Sequence, residues 1–208
     1  LKVDTLAPFY HGVASGDPLE DKVIIWTRVT PENHENEISV NWQISKFSDF
    51  RKVFKNGMFL TDADRDYTVK VDVEGLESGT SYFYRFESYG KKSITGRTKT
   101  INTLSESLRF AIVSCSDYQR GYFNSYSSIS EEEDLDAVIH LGDYIYEYKS
   151  RDYSNGIFDR LHLPDKELIT LGDYRTRHSQ YKLDRDLMAA HRNHPFILIW
   201  DDHETSNN

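Results

Sequence analysis

Asp136-Ala137-Val138-Ile139-His140-Leu141 runs directly into Gly142-Asp143-Tyr144-Ile145-Tyr146-Glu147. The first six residues read as a short strand buried in a sheet. Gly142 suits a point where the backbone must turn tightly and leave room. The residues after it, a carboxylate and phenols, are capable of chemistry. The same arrangement occurs on either side. Leu108-Arg109-Phe110-Ala111-Ile112-Val113, which reads as a strand covered on both faces, stops at Ser114-Cys115-Ser116-Asp117. Pro195-Phe196-Ile197-Leu198-Ile199-Trp200, a third buried strand, stops at Asp201-Asp202-His203-Glu204. Between the strands, Phe123, Tyr126 and Ile129 lie at helical spacing, and Leu171 to His191 is helical in composition. Strand, helix, strand, helix, strand is an α/β layout. Ligands of open α/β sheets bind beyond the carboxyl ends of the strands, so Cys115, Asp143, Tyr146, Asp202 and His203 are expected to converge.

Upstream, residues from about 9 to 103 read as β. Lys22 to Val29 is rich in β-branched residues and follows the turn signal Ser15-Gly16-Asp17-Pro18. Ile38 to Ile44 and Tyr67 to Val73 alternate apolar and polar, the period of a half-buried strand. Leu76, a Gly79 turn and Tyr82 opening a strand resemble the tyrosine corner of β-sandwiches. Short strands at this spacing predict an all-β immunoglobulin- or fibronectin-like sandwich over residues 1–104, with 105–208 as a second, α/β domain.

Composition narrows the partners. Among 208 residues, 28% are charged and the net charge is -9, which argues against a broad nucleic-acid surface. No stretch is long or apolar enough to cross a bilayer as a helix. One cysteine makes no internal disulfide, so cysteine usage is silent on the compartment.

A carboxylate, a phenolate and a thiolate together suit a hard, highly charged cation, with ferric iron a natural candidate. Neighbouring carboxylate and amide oxygens suit Ca²⁺, Mg²⁺ or Mn²⁺. Metals held close together polarise a phosphoryl oxygen and acidify a bound water, and His203 beside them could protonate a leaving oxygen. Each residue also has a plainer reading. Cys115 fits a small buried hydrophobe, Asp143 a turn, Tyr146 a packed aromatic, and Asp201 to Glu204 a helix cap or solvated loop. Glu131 to Asp134 reads as a solvated face, and His178, His191 and His194 read as structural.

Taken in order, these motifs resemble the PhoD family of the calcineurin-like metallophosphatase superfamily. Phe9 to Pro18 with Ile25-Trp26-Thr27-Arg28 is similar to the opening of its N-terminal domain. His140 to Tyr148 is similar to its first metal motif. Tyr174-Arg175-Thr176-Arg177, Ala189-Ala190-His191, Trp200 to Glu204 and Asn207-Asn208 resemble its next stretch. The resemblance implies the N-terminal half of a metallophosphatase-like α/β sandwich, truncated at its C-terminal side and holding about half of the metal site. It implies Fe³⁺ and Ca²⁺, with Cys115, Asp143, Tyr146 and Asp202 as metal ligands, Asp143 bridging, and His203 contacting phosphate.

The implied activity is hydrolysis of phosphate esters, as an alkaline phosphatase or phosphodiesterase, by a metal-activated hydroxide. Its partners would be a phosphate-ester substrate and inorganic phosphate, and its location secreted or periplasmic. The alternatives are a metal-dependent nuclease or phospholipase on the same scaffold, or a non-catalytic secreted binding module.

Overall fold

Alternation sets the N-terminal elements. In β2 (Lys22–Arg28) Val23, Ile25 and Thr27 are buried while their neighbours are half-buried. β3 (Glu37–Ser45), β5 (Thr68–Glu74) and β6 (Ser81–Ser88) also turn alternate residues inward. The computed structural model describes residues 3–33, 36–152 and 160–206, so Asn207 and Asn208 lie outside the described residues. Two strands join those expected: β1 (Val13–Gly16) and β4 (Lys55–Asp62). β7 (Lys91–Lys92) and β8 (Gly96–Lys99) complete the region.

β4, β3, β6 and β7 form one antiparallel sheet, with β8 also on β6. Its inner face packs against β2 and β5 through a core that includes Val23, Ile25, Val40, Ile44, Tyr84 and Phe86. The Tyr82 hydroxyl accepts a hydrogen bond of 2.9 Å from the Glu77 backbone N–H, five residues upstream, the contact that defines a tyrosine corner.

The second region supplies β9 (Phe110–Val113), α1 (Asn124–Glu131), β10 (Ala137–His140), α2 (Leu171–Lys182), α3 (Arg185–Asn193) and β11 (Pro195–Leu198). β9, β10 and β11 are parallel, in the sheet order β5-β2-β1-β11-β10-β9. The sheet therefore runs through both regions. β1 is antiparallel to β2 on one side and parallel to β11 on the other, with Ser15 opposite Pro195 and Gly16 opposite Phe196. A Cβ on Gly16 would stand 2.7 Å from the Phe196 carbonyl oxygen, so this junction needs glycine. One hydrophobic core is built from residues 9–94 and the other from residues 111–196, and the six-stranded sheet takes strands from both stretches.

Two expectations are corrected. Leu171 to His191 is not one helix. The first ends at Lys182 with Leu183 as its C-cap, and Asp184 caps the second, its carboxylate accepting from the N–H groups of Asp186 (3.0 Å) and Leu187 (3.1 Å). Among the described residues, the parallel strands are also not covered on both faces. Ala111, Val113, Val138 and Phe196 meet the core that includes Tyr126, Leu187 and Ala190. On the opposite face Ile112, Ile139 and Ile197 share a register row, and Ile112, Leu141 and Ile199 are 64%, 51% and 62% exposed. No helix of the described residues is long and apolar enough to cross a membrane.

Candidate metal centre

The three parallel strands end side by side, and backbone hydrogen bonds join their loops. The Cys115 N–H donates to the Gly142 carbonyl (3.1 Å) and the Ser116 N–H to the Asp143 carbonyl (2.8 Å). Cys115, Gly142 and Asp143 all take left-handed backbone conformations, with φ of 57°, 105° and 53°. A Cβ on Gly142 would lie 2.4 Å from the Asp201 Cβ, which makes glycine obligatory where the second and third loops cross.

Asp143 is the hub. Its Oδ2 accepts from the Cys115 thiol at 3.5 Å and from the Tyr146 hydroxyl at 3.3 Å. Its Oδ1 is buried without a hydrogen-bond partner. Ligand atoms of Asp143, Asp202 and His203 lie within 4.8 Å of one another, a group able to hold a metal ion. All five residues singled out from the sequence thus meet in one place. A buried carboxylate oxygen with no donor costs free energy unless a cation faces it, so the donor set fits a metal. Burial, and then the Asp143 carboxylate, raise the pKa of the Tyr146 hydroxyl far above the ordinary phenol value. It stays a neutral donor unless a cation draws the proton off.

Residues that sequence reasoning did not single out hold this cluster. Glu204 closes the loop after β11 as part of a capping box with Asp201. Its carboxylate accepts from the N–H groups of Asp143 (3.0 Å), Tyr144, Ile145 (3.2 Å) and Asp201 (2.7 Å). One side chain therefore fixes two of the three loops. Glu147 Oε2 stands 2.9 Å from His203 Nδ1, with both side chains buried. The His203 ring lies 4.3 Å, centroid to centroid, from that of Tyr146 and 5.4 Å from that of Tyr148.

Arg177, fully buried in α2, donates to the backbone carbonyls of Tyr146, Tyr148 (3.1 Å), Leu163 (3.0 Å) and Pro164 (3.0 Å). It thereby holds the segment that carries both Tyr146 and Glu147. Burial lowers its pKa to about 10, so the guanidinium remains charged at neutral pH. Beneath the cluster, Ser116 Oγ lies 2.6 Å from the Tyr126 hydroxyl and 3.1 Å from His140 Nε2, while the Gly142 N–H faces His140 Nδ1 at 3.3 Å. Burial lowers the His140 pKa to about 4, so this ring is neutral under ordinary conditions. The carboxylates at 147 and 204 were invisible as partners because they contact groups 56 and 61 residues away.

Comparison with known proteins follows the same division. Residues 3–102 match the model described as PhoD-like phosphatase, N-terminal domain, and residues 110–208 match that described as PhoD-like phosphatase. Alkaline phosphatase D of Bacillus subtilis (strain 168) is 40% identical over 210 residues, covering 97% of this chain and 36% of that protein. A solved structure described as the structure of PhoD superposes with a TM-score of 0.89 at 40% identity, covering 97% of this chain and 40% of that one. The chain thus spans little more than a third of the length of the curated relative it matches. With both family models matching in order along almost its whole length, the chain belongs to the PhoD-like phosphatase family.

Proposed function

We propose that this chain carries the catalytic cluster of a phosphoric ester hydrolase, an alkaline phosphatase or phosphodiesterase. One observation above all supports this: Asp143 has a buried, partnerless oxygen on one side and a thiol and a phenol on the other, with Asp202 and His203 in reach. The reaction class follows the name of the relative from Bacillus subtilis. In this reading Asp143, Cys115, Tyr146 and Asp202 would hold metal, with Asp143 at the centre of the set, and His203 would be catalytic. The thiolate–phenolate–carboxylate set favours Fe³⁺, and the carboxylates favour Ca²⁺ beside it. A cation held here supplies positive charge that polarises a phosphoryl oxygen and acidifies a coordinated water.

The chain's own residues supply the rest. Glu147 engages His203 through Nδ1, so chemistry toward the ester runs through Nε2, which hydrogen-bonds the phosphoryl group or protonates the leaving oxygen. The Tyr146 ring flanks the imidazole and restricts its rotation and its access to water. The two carboxyl oxygens of Glu204, Oε2 on the Asp143 N–H and Oε1 on those of Tyr144 and Ile145, hold this backbone in register.

The wider reading completes this. Residues 1–104 are an immunoglobulin- or fibronectin-like sandwich, and 105–208 are the N-terminal half of a metallophosphatase-like sandwich. The protein acts outside the cytoplasm, secreted or periplasmic. The test is hydrolysis of p-nitrophenyl phosphate and bis-p-nitrophenyl phosphate with added Fe³⁺ and Ca²⁺. Turnover of either ester, abolished by chelator and by Asp143→Asn, supports the reading; turnover indifferent to both overturns it.

A further inference from the structure

A cavity of about 760 Å³ lies between the sheet strands β1, β2 and β5 and helix α2. None of Cys115, Asp143, Tyr146, Asp202 and His203 lines it. Its charge is opposite to that of the molecule. Five cationic side chains, Arg28, Arg65, Lys70, Arg175 and Lys182, face three carboxylates, in a chain of net charge -9. Those carboxylates are already engaged or few. Asp66 is paired with Arg28 at 2.7 Å, and Glu204 is held by backbone N–H groups, which leaves Asp17. Among the described residues, no carboxylate lies within ion-pair distance of Arg65, Lys70, Arg175 or Lys182.

The cations are placed by the fold. Trp26 in β2 is the register partner of Lys70 in β5, so the two side chains stand together on one face of the sheet. The Lys182 ammonium, at the end of α2, lies 5.2 Å from the Trp26 ring centroid and 5.5 Å from that of Tyr144. Arg175 donates to the backbone carbonyls of Ala63 and Asp64, which brings it to the turn that carries Arg65. Burial lowers the Lys182 pKa to about 7, and an anion bound beside it would favour its charged form. Aromatic walls complete the cavity, since Trp200, 75% exposed, also lines it. The space is far larger than an inorganic anion needs and falls in the range of small-molecule sites.

We propose that this cleft is a second binding site for an organic phosphate, separate from the metal cluster. The phosphate sits against Lys70 and Lys182, and an aromatic or apolar ester group lies along Trp26 and Trp200. A dianion answers several unpaired cations at once, and flat aromatic walls accept a ring without needing a fixed hydrogen-bond pattern.

Calorimetric titration of the chain with phenyl phosphate tests this after treatment with chelator, and again on Asp143→Asn, so that the metal cluster contributes to neither. Binding is expected in both backgrounds. It should weaken about tenfold or more in Lys182→Gln, and less in Lys70→Gln. Lys70 sits on an exposed strand position, so that variant decides the matter should Lys182→Gln fail to fold. Inorganic phosphate is expected to bind more weakly than phenyl phosphate. Absence of binding in the chelated chain, or affinity unchanged in the lysine variants, overturns the site. Equal affinity for inorganic phosphate overturns the role given to the aromatic walls.

Discussion

The catalytic role proposed for His203 needs its ring held, and Glu147 holds it at 2.9 Å in a buried pair. His203→Ala should lower the hydrolytic rate by roughly 10²–10⁴-fold while metal content is unchanged. Loss of metal in that variant would make His203 a ligand instead. Glu147→Gln keeps the shape and removes the charge, and should cost about 10–100-fold in turnover. Steady-state kinetics paired with metal analysis separates these roles. The Tyr146 hydroxyl sits far above the ordinary phenol pKa because of burial and the Asp143 carboxylate, so its ionisation reports a cation. Adding Fe³⁺ should produce a visible charge-transfer band that Tyr146→Phe shifts or abolishes; an unchanged band would exclude the phenolate. At this scale the sequence made Cys115, Asp143 and Asp202 legible because each stands just beyond an apolar run. Glu147, Glu204 and Arg177 were not legible in role, since their partners are set by tertiary contacts 31 to 61 residues away.

Elements carry these residues, and their ends matter most. Arg177 ties α2 to the Tyr146–Tyr148 segment through the carbonyls of Tyr146 and Tyr148, and to Leu163 and Pro164 through two more. Arg177→Met should cost at least about 3 kcal/mol, measured by chemical denaturation, because the carbonyls lose a charged donor they cannot replace. The break between α2 and α3 is held by the Asp184 cap, whose carboxylate also pairs with the buried Arg160 at 2.8 Å, so Asp184→Ala should cost more than the about 1 kcal/mol of a cap alone. Alternation revealed β3 and β5 because each buries one face, while β2 showed through its β-branched residues and β6 through the Leu76–Tyr82 corner. β4 escaped notice because it turns Met58 and Leu60 outward, 61% and 46% exposed, so its apolar residues do not mark its buried side. The helix break escaped notice because composition alone continues through Leu183, and only the Asp184 hydrogen bonds reveal a cap.

On the scale of the molecule, one sheet joins two cores through β1, four residues that the sequence offered only as a lead into a turn. Such a short strand has no periodicity to read, and its place is fixed by pairing with β2 and β11 on either side. Buried histidines in the second region couple its stability to pH. His140 and His162 are each held near pKa 4, chiefly by burial, against about 6.5 in an unfolded chain. Below 6.5 the unfolded chain takes up protons that the folded one refuses. Stability should therefore be full above pH 6.5 and decline as pH falls toward 4. Denaturation midpoints measured between pH 8 and 4 check this, and His140→Gln should flatten part of the decline.

If the three strand ends hold metal around Asp143 as proposed, the metal content of the chain must depend on that carboxylate. Elemental analysis of the purified chain after incubation with Fe³⁺ and Ca²⁺, and after exhaustive removal of free ions, should find tightly held metal in the wild-type chain and little in Asp143→Asn. Equal metal content in the two, or none in the wild type, would show that Asp143 does not organise a metal site.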